Sequence, residues 1–428
     1  MLCGCNAGVS IENMLAPPRL LAEQNEIYSE LTKSVGQDVK LKYPRSGEFR
    51  SAFVMYNIDD EEGEEAMVFY ESKNAAAGEG ALRLKFLDKN DGKWQAVYDL
   101  ACAGSEVESI SFAKLGSGNA VDIIIRYTLL NQSERAFSVI RYANHVPVTM
   151  YSSAYSCLEV FDINGDGMDE LVTVTSDKTL NTATAMMFTN GENGFEKLSE
   201  TQLYSGAAEY LRVTKGNLNE NTQALFFDYS KGGGQSGTDV LYCYGNRLFC
   251  PDSTSSNVIS RLVNDYTSEI YCYDIDGDGF IEIPSTTPLP GYEVLTLPEQ
   301  LCAVTWYTVQ DDNFTAKYYS YFSGKYRFAL IFPNRWQGVV SAVPDFANNE
   351  IVFVSYDEVS GLAANKYTEL MRIRAVDKDD EKALESSKNY NFLGETEETY
   401  YCYSVTKGFL TGKLALTESE LTKNFFIL

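Results

Sequence analysis

Residues 160–174 read V-F-D-I-N-G-D-G-M-D-E-L-V-T-V, and residues 272–286 read C-Y-D-I-D-G-D-G-F-I-E-I-P-S-T. Each stretch sets oxygen-bearing side chains at places 1, 3, 5 and 9 of a loop, with glycines at places 4 and 6 where the chain must curl tightly. With the backbone carbonyl of place 7 they make a cage of hard oxygens suited to Ca²⁺. Mg²⁺ fits less well, because it retains water and demands near-ideal octahedral geometry. The expected ligands are Asp162, Asn164, Asp166, the Met168 carbonyl and Glu170 in one loop, and Asp274, Asp276, Asp278, the Phe280 carbonyl and Glu282 in the other. An EF-hand would carry its acidic ligand at place 12 between helices. Here place 12 is Thr173 or Ser285, and L-V-T-V after the first loop reads as a strand.

Working outward, the same unit recurs in weaker form. V-M-Y-N-I-D-D-E-E-G-E-E-A-M-V-F-Y keeps Asn57, Asp59, Glu61 and Glu65 and is a possible third, weak metal site. The copy starting at Lys114 keeps only Asp122 at its ninth place, and the copy starting at Lys215 keeps Asn217 and Asn219. Loop starts at 57, 114, 162, 215 and 274 are 48 to 59 residues apart, the length of a four-stranded propeller blade. After the first sharp loop, Glu170–Thr175, Ala183–Phe188 and Phe195–Leu203 give three further strands divided by turn residues.

The pattern D-x-[DN]-G-D-G-x-x-[DE]-[LI] followed by a strand resembles the FG-GAP (VCBS-type) repeats of integrin α-chain propellers and their bacterial relatives. That resemblance implies calcium ions in the hairpin loops between the first two strands of a blade. L-C-G-C at residues 2–5, P-P-R-L-L-A-E-Q-N from Pro17 and a trailing domain look like the surface lipoproteins of clostridial bacteria that carry such repeats. The expected fold is therefore mainly β: a β-propeller over 37–323 with five blades, six or seven also fitting. A lipobox remnant (1–5), a tether and short helix (6–36) and a C-terminal α+β domain (324–428) complete it. Val39–Tyr43 is expected to close the last blade.

Composition narrows the function. A formal charge of −25 repels nucleic acid phosphates and anionic lipids. One histidine in 428 residues leaves no His-paired metal site, and His145, in N-H-V-P, reads as loop structure. Nine cysteines show no C-x-x-C pair. Cys243 and Cys250 flank a turn and could bridge, although buried free thiols are the better reading. K-G-G-G-Q-S-G from Lys231 matches neither a phosphate loop nor a G-x-S-x-G elbow and is expected to be a hairpin loop. Tyr326, Phe328, Trp336 and Tyr356 are assigned to core packing rather than to a ligand face.

Cys5 of the lipobox is the expected lipidation site, behind a signal peptide that looks truncated. The resulting expectation is a monomeric, extracytoplasmic protein, lipid-anchored to the outer face of the cell membrane. It would bind two calcium ions and act as a binding or adhesion module for a protein or glycan. A propeller-based glycosidase or lyase using carboxylate and Tyr residues, and a structural part of a cell-envelope assembly, are the alternatives. No catalytic residue is nominated.

Overall fold

The structure, a computed structural model, describes residues 22–59, 61, 63–72, 81–115, 121–129, 135–191, 194–251, 260–261, 270–296, 299–310, 313–357, 362, 367–407 and 409–428. Cys5 and its lipobox, with Pro17 and Pro18, lie outside the described residues. The chain forms two compact units, Met1–Val160 with Thr189–Glu196, and Phe161–Phe188 with Lys197–Leu428.

Among the described residues the protein is mainly β, with six antiparallel sheets that follow one another along the chain. Sheet one holds Phe53–Tyr56, Glu65–Ser72, Leu82–Asn90 and Lys93–Ala101, and sheet two Glu106–Ala113, Asp122–Thr128, Arg135–Ala143 and Val146–Ala154. Sheet three holds Cys157–Phe161, Glu170–Asp177, Thr182–Gly191 and Gly194–Gln202. Sheet four holds Glu209–Asn219, Thr222–Gly232, Gln235–Tyr244 and Arg247–Phe249, with Ser260–Arg261 paired onto its third strand. Sheet five holds Ile283–Pro288, Cys302–Gln310, Asn313–Ser323 and Phe328–Ile331. Sheet six holds Val340–Asp345, Glu350–Ser355, Thr368–Asp377 and Thr399–Val405, with Asn391–Glu395 at its edge.

Inward-facing residues at period two knit neighbouring sheets within each unit. In the first unit Met67, Phe69, Leu84 and Phe86 of sheet one pack with Ile110, Ile123, Ile125 and Ile140 of sheet two. In the second, Ala224, Phe226 and Val240 of sheet four meet Ile283 and Val309 of sheet five. Tyr321, Phe328 and Leu330 of sheet five meet Ile351, Phe353, Met371 and Ile373 of sheet six. The helix Ala22–Val35 buries Ile27 and Leu31, one turn apart, against Phe53, Val68 and Trp94. It ends at Gly36, whose φ of 95° suits the left-handed cap and whose N–H reaches the Thr32 carbonyl.

Three expectations change. A sixth sheet follows the five repeats, because Val340–Asp345 and Glu350–Ser355 are joined by a short turn without the acidic loop signature. The boundary expected between 323 and 324 falls between two strands that pair, Ser320 with Ile331 through Ser323 with Phe328. Val39–Leu41 does not close a final sheet. It pairs with Tyr70, Glu71 and Ser72 in sheet one, while the C-terminal Phe425–Ile427 pairs with Phe328–Leu330 in sheet five. The C-terminal helices are short, Glu381–Ser386 capped by Asp380 and Glu418–Asn424 opened by the capping box of Thr417 and Glu420. Tyr326, Phe328 and Trp336 are buried, as the core reading required, whereas Tyr356 is only half-buried.

Burial also sets a pH dependence in sheet four. Asp228 is buried, and burial pushes its carboxyl up to about 6, although Thr238 Oγ1 (2.6 Å), the Cys272 N–H (3.1 Å) and the Cys272 thiol (3.3 Å) donate to it and pull the other way. The raised value means that the folded chain holds this proton longer than the unfolded one, so stability is lost as pH rises from about 4 to about 6. Asp228→Asn should remove that slope. Urea midpoints of the parent and the variant at pH 4 and pH 7 should differ by on the order of 2–3 kcal/mol in their pH dependence, and parallel pH profiles would refute the assignment.

Candidate metal loops and ligand pocket

Four of the five expected loops share one frame. Three lie between the first and second strands of sheets one, two and three, the fourth directly precedes the first strand of sheet five, and in all four the place-2 residue is a buried aliphatic: Ile58, Leu115, Ile163 or Ile275. The ninth-place carboxylates Glu65, Asp122, Glu170 and Glu282 are buried as well. In three loops one carboxylate oxygen accepts the place-2 N–H: Ile58 to Glu65 at 2.8 Å, Ile163 to Glu170 at 3.2 Å and Ile275 to Glu282 at 2.9 Å. The Leu115 N–H serves Asp122 likewise. The ninth acid thus folds the loop whatever else it holds, and in the two sharp loops its second oxygen accepts from Asn164 or Lys317.

In the first sharp loop, Asp162 Oδ1 accepts from the N–H groups of Gly165 (2.8 Å) and Asp166 (3.1 Å), and its Oδ2 accepts from Gly167 (2.9 Å). Gly165 and Gly167 have φ of 75° and 88°, which is why glycine stands there. The Met168 N–H donates to Asp166 Oδ1 at 2.9 Å. Asn164 Nδ2 donates to Asp166 Oδ2 (3.1 Å) and Glu170 Oε1 (2.9 Å), so a neutral amide fills a space ringed by carboxylate oxygens. Burial first, then the charge of Asp166, pushes Glu170 up to about 7. That donor set is hard and anionic, the chemistry a divalent cation needs, with Lys215 close enough to act on the neighbouring Asp169.

The second loop repeats the backbone pattern, with Gly279 and Asp278 N–H groups donating to Asp274 and the Phe280 N–H to Asp278. Oxygens of Asp274, Asp276 and Glu282 lie within 4.8 Å of one another. The centre differs from the first loop. Lys317, on the strand Asn313–Ser323, places Nζ 2.9 Å from Asp276, 2.6 Å from Asp278 and 2.7 Å from Glu282. The Tyr318 hydroxyl donates to Asp276 at 2.7 Å. Burial raises Glu282 while Lys317 opposes it, and the donors Tyr318 and Lys317 outweigh burial at Asp276 and hold it below its ordinary value.

In the remaining loops the described polar groups take other partners. In the third candidate, Asn57 Nδ2 donates to the Glu61 carbonyl and the Glu61 N–H to Asp59, so these groups spend themselves on the turn. Glu65, raised to about 7 chiefly by burial, stays at the loop base. Asp122 is paired with Arg141 at 2.6 Å. The stretch from Lys215 is a correction: it lies inside the strand Glu209–Asn219, and the turn comes at Glu220 and Asn221. Asn217 instead braces the second sharp loop, its side chain donating to the Gly279 carbonyl and its carbonyl accepting the Ile281 N–H.

Elsewhere, Lys231–Gly237 spans a hairpin whose turn is Gly233–Gly234, with positive φ at Gly232, Gly233 and Gly234, and His145 sits in a turn with Nδ1 2.9 Å from Asp88. Cys243 and Cys250 are not disulfide-bonded. A cavity of about 570 Å³ in the first unit escaped the sequence reading. It is walled by Tyr56 and Phe112, stacked at 3.9 Å, with Phe49 edge-on to Phe112 at 5.1 Å. Arg126 reaches it and donates to Ser109 Oγ and the Leu158 carbonyl, with no carboxylate partner among the described residues. Ser111 Oγ in the same wall is buried and unpartnered among the described residues, and Glu48 stands exposed at the edge.

No protein family and no curated protein matches the chain. Solved structures similar to it include rhamnogalacturonan lyase YesW (11% identity, TM-score 0.33, covering 74% of this chain and 66% of that one). The exotype rhamnogalacturonan lyase YesX (11%, 0.27, 75% and 62%) and Sqt1 of Saccharomyces cerevisiae (10%, 0.32, 71% and 81%) are also similar. The chain spans about two thirds of the length of the two lyases, and these TM-scores lie below the level at which two chains share a fold.

Proposed function

We propose that the protein is a calcium-stiffened β-propeller module that binds a glycan, its six sheets being the blades. The propeller reading is supported by the repeated four-strand meander, by loops between the first and second strands of sheets one, two and three, and by the cores that consecutive sheets share within each compact unit. Calcium belongs in the Asp162–Glu170 loop, where three carboxylates have no cationic partner among the described residues. A lipid on Cys5 would hold the module at the outer face of the membrane; among the described residues no helix is long and apolar enough to cross it.

The observation that carries the binding reading is the pocket of Phe49, Tyr56, Phe112 and Arg126. Aromatic rings take the apolar faces of sugars, Ser111 and Ser109 offer hydroxyl partners, and Arg126 suits an acidic substituent. A glycosidase or lyase built here would need opposed acid and base groups, and this pocket offers Glu48 as its single carboxylate. On a glycan array, with and without calcium, the protein should retain acidic oligosaccharides. Phe49→Ala and Arg126→Gln should each lower retention about tenfold or more, in line with the loss of one stacking or charged contact. An array without any signal, or signals indifferent to both substitutions, would remove the reading.

A further inference from the structure

The two sharp loops have nearly the same sequence, and the structure sets them apart through a residue from another part of the chain. Lys317 and Tyr318 are adjacent on one strand, and in a regular strand their side chains would leave opposite faces. Here both reach the Asp274–Glu282 loop. The register explains it: Trp306 pairs with Tyr318 and Tyr307 with Ala316, so Lys317 is the extra residue of a β-bulge. A bulge re-aims a side chain. Sheets one and two carry bulges in their last strands too, at Val97 and Met150, and there the extra residue is apolar. Sheet five puts an ammonium at its bulge, and that ammonium lies within 2.9 Å of three carboxylates.

We propose that the Lys317 ammonium is the resident cation of the Asp274–Glu282 loop, so that this loop takes no calcium and the Asp162–Glu170 loop alone is a metal site. The three donors of the ammonium satisfy Asp276, Asp278 and Glu282, the same oxygens that a divalent ion would need. An ion on those oxygens would stand within a few ångströms of Nζ, a like-charge contact that a weak extracellular-type site cannot offset. A tethered cation also keeps the loop closed at any calcium concentration. Only the first loop would then loosen when calcium falls.

The inference deepens the calcium reading of these loops, and the experiment separates the two. In a chain carrying Asp59→Ala and Asp166→Ala, which silence the other candidate loops, calcium titration by calorimetry should show no binding. Adding Lys317→Met should create one calcium per chain, and Asp278→Ala should abolish it again. Terbium emission excited through Tyr318, whose hydroxyl touches Asp276, should appear only with Lys317→Met. Lys317→Arg, which keeps a cation at the bulge, should stay silent. Calcium binding by the double-alanine chain with Lys317 intact would overturn the proposal, as would a folded Lys317→Met chain that gains none. If the unaltered protein binds no calcium while the Lys317→Met chain gains one, the proposal stands and the reading of the first loop fails.

Discussion

Trp336→Ala should destabilise the second unit by about 3–5 kcal/mol, the range for emptying a fully buried large aromatic site. Trp336 is completely buried, and its ring packs on Phe332, Phe353 and Phe409 with centroids 5.2, 6.0 and 6.2 Å away. Its Nε1–H donates to the Leu414 carbonyl at 2.8 Å, tying the segment before the last helix to the core shared by sheets five and six. Truncation would leave both a cavity and an unmade hydrogen bond. Trp336→Phe keeps most of the volume and loses the bond, so about 1–2 kcal/mol is expected. Urea unfolding followed by far-UV circular dichroism avoids the lost tryptophan signal. A midpoint for Trp336→Ala close to the parent's would mean that this site collapses freely and does not hold the two sheets together.

Trp336 also marks how the sequence could and could not be read. Core aromatics and the strand after the first sharp loop follow from local rules, so Tyr326, Phe328, Trp336 and the strand expected at Glu170–Thr175 were legible. The backbone of the sharp loops was legible too, since Gly165, Gly167, Gly277 and Gly279 stand where positive φ is needed. The loop centres were not. Whether four oxygens surround an amide, an ammonium or a metal depends on Lys317, and its aim depends on a bulge 35 residues beyond Glu282 that leaves no mark in composition or period. The pocket was hidden for the same reason, because Phe49, Tyr56, Phe112 and Arg126 come from three strands and a connecting segment. Val39–Leu41 was placed in the wrong sheet because a three-residue strand carries too little pattern to name its partner. Glu350 could have been found: an acid opening a β-branched run is the same signal as Glu170-Leu-Val-Thr-Val, here in Glu350-Ile-Val-Phe-Val.

Glu350 is the other site where one substitution should be severe. It opens the second strand of sheet six as Glu65, Asp122 and Glu170 open theirs, but without an acidic loop to face it is neutralised by arginine. Its Oε1 accepts from Arg374 Nε (2.7 Å) and the Tyr390 hydroxyl (2.6 Å), and its Oε2 accepts from Arg372 Nη1 (2.9 Å), all with the carboxylate fully buried. Glu350→Ala should cost about 3–5 kcal/mol, because breaking a buried pair strands the partner charge. The two arginines differ in what they would lose. Arg372 keeps Glu369 at 2.6 Å, whereas Arg374 is buried and left with the hydroxyls of Ser386 and Ser387 and the face of Tyr390. A second substitution, Arg374→Met, should therefore recover a large part of the loss in the Glu350→Ala background, while Arg372→Met should recover little. Double-mutant cycles on urea midpoints measure both couplings. Equal recovery by the two would show that the stranded charge is not Arg374, and that the cost of losing Glu350 lies in the Tyr390 hydrogen bond and the cavity instead.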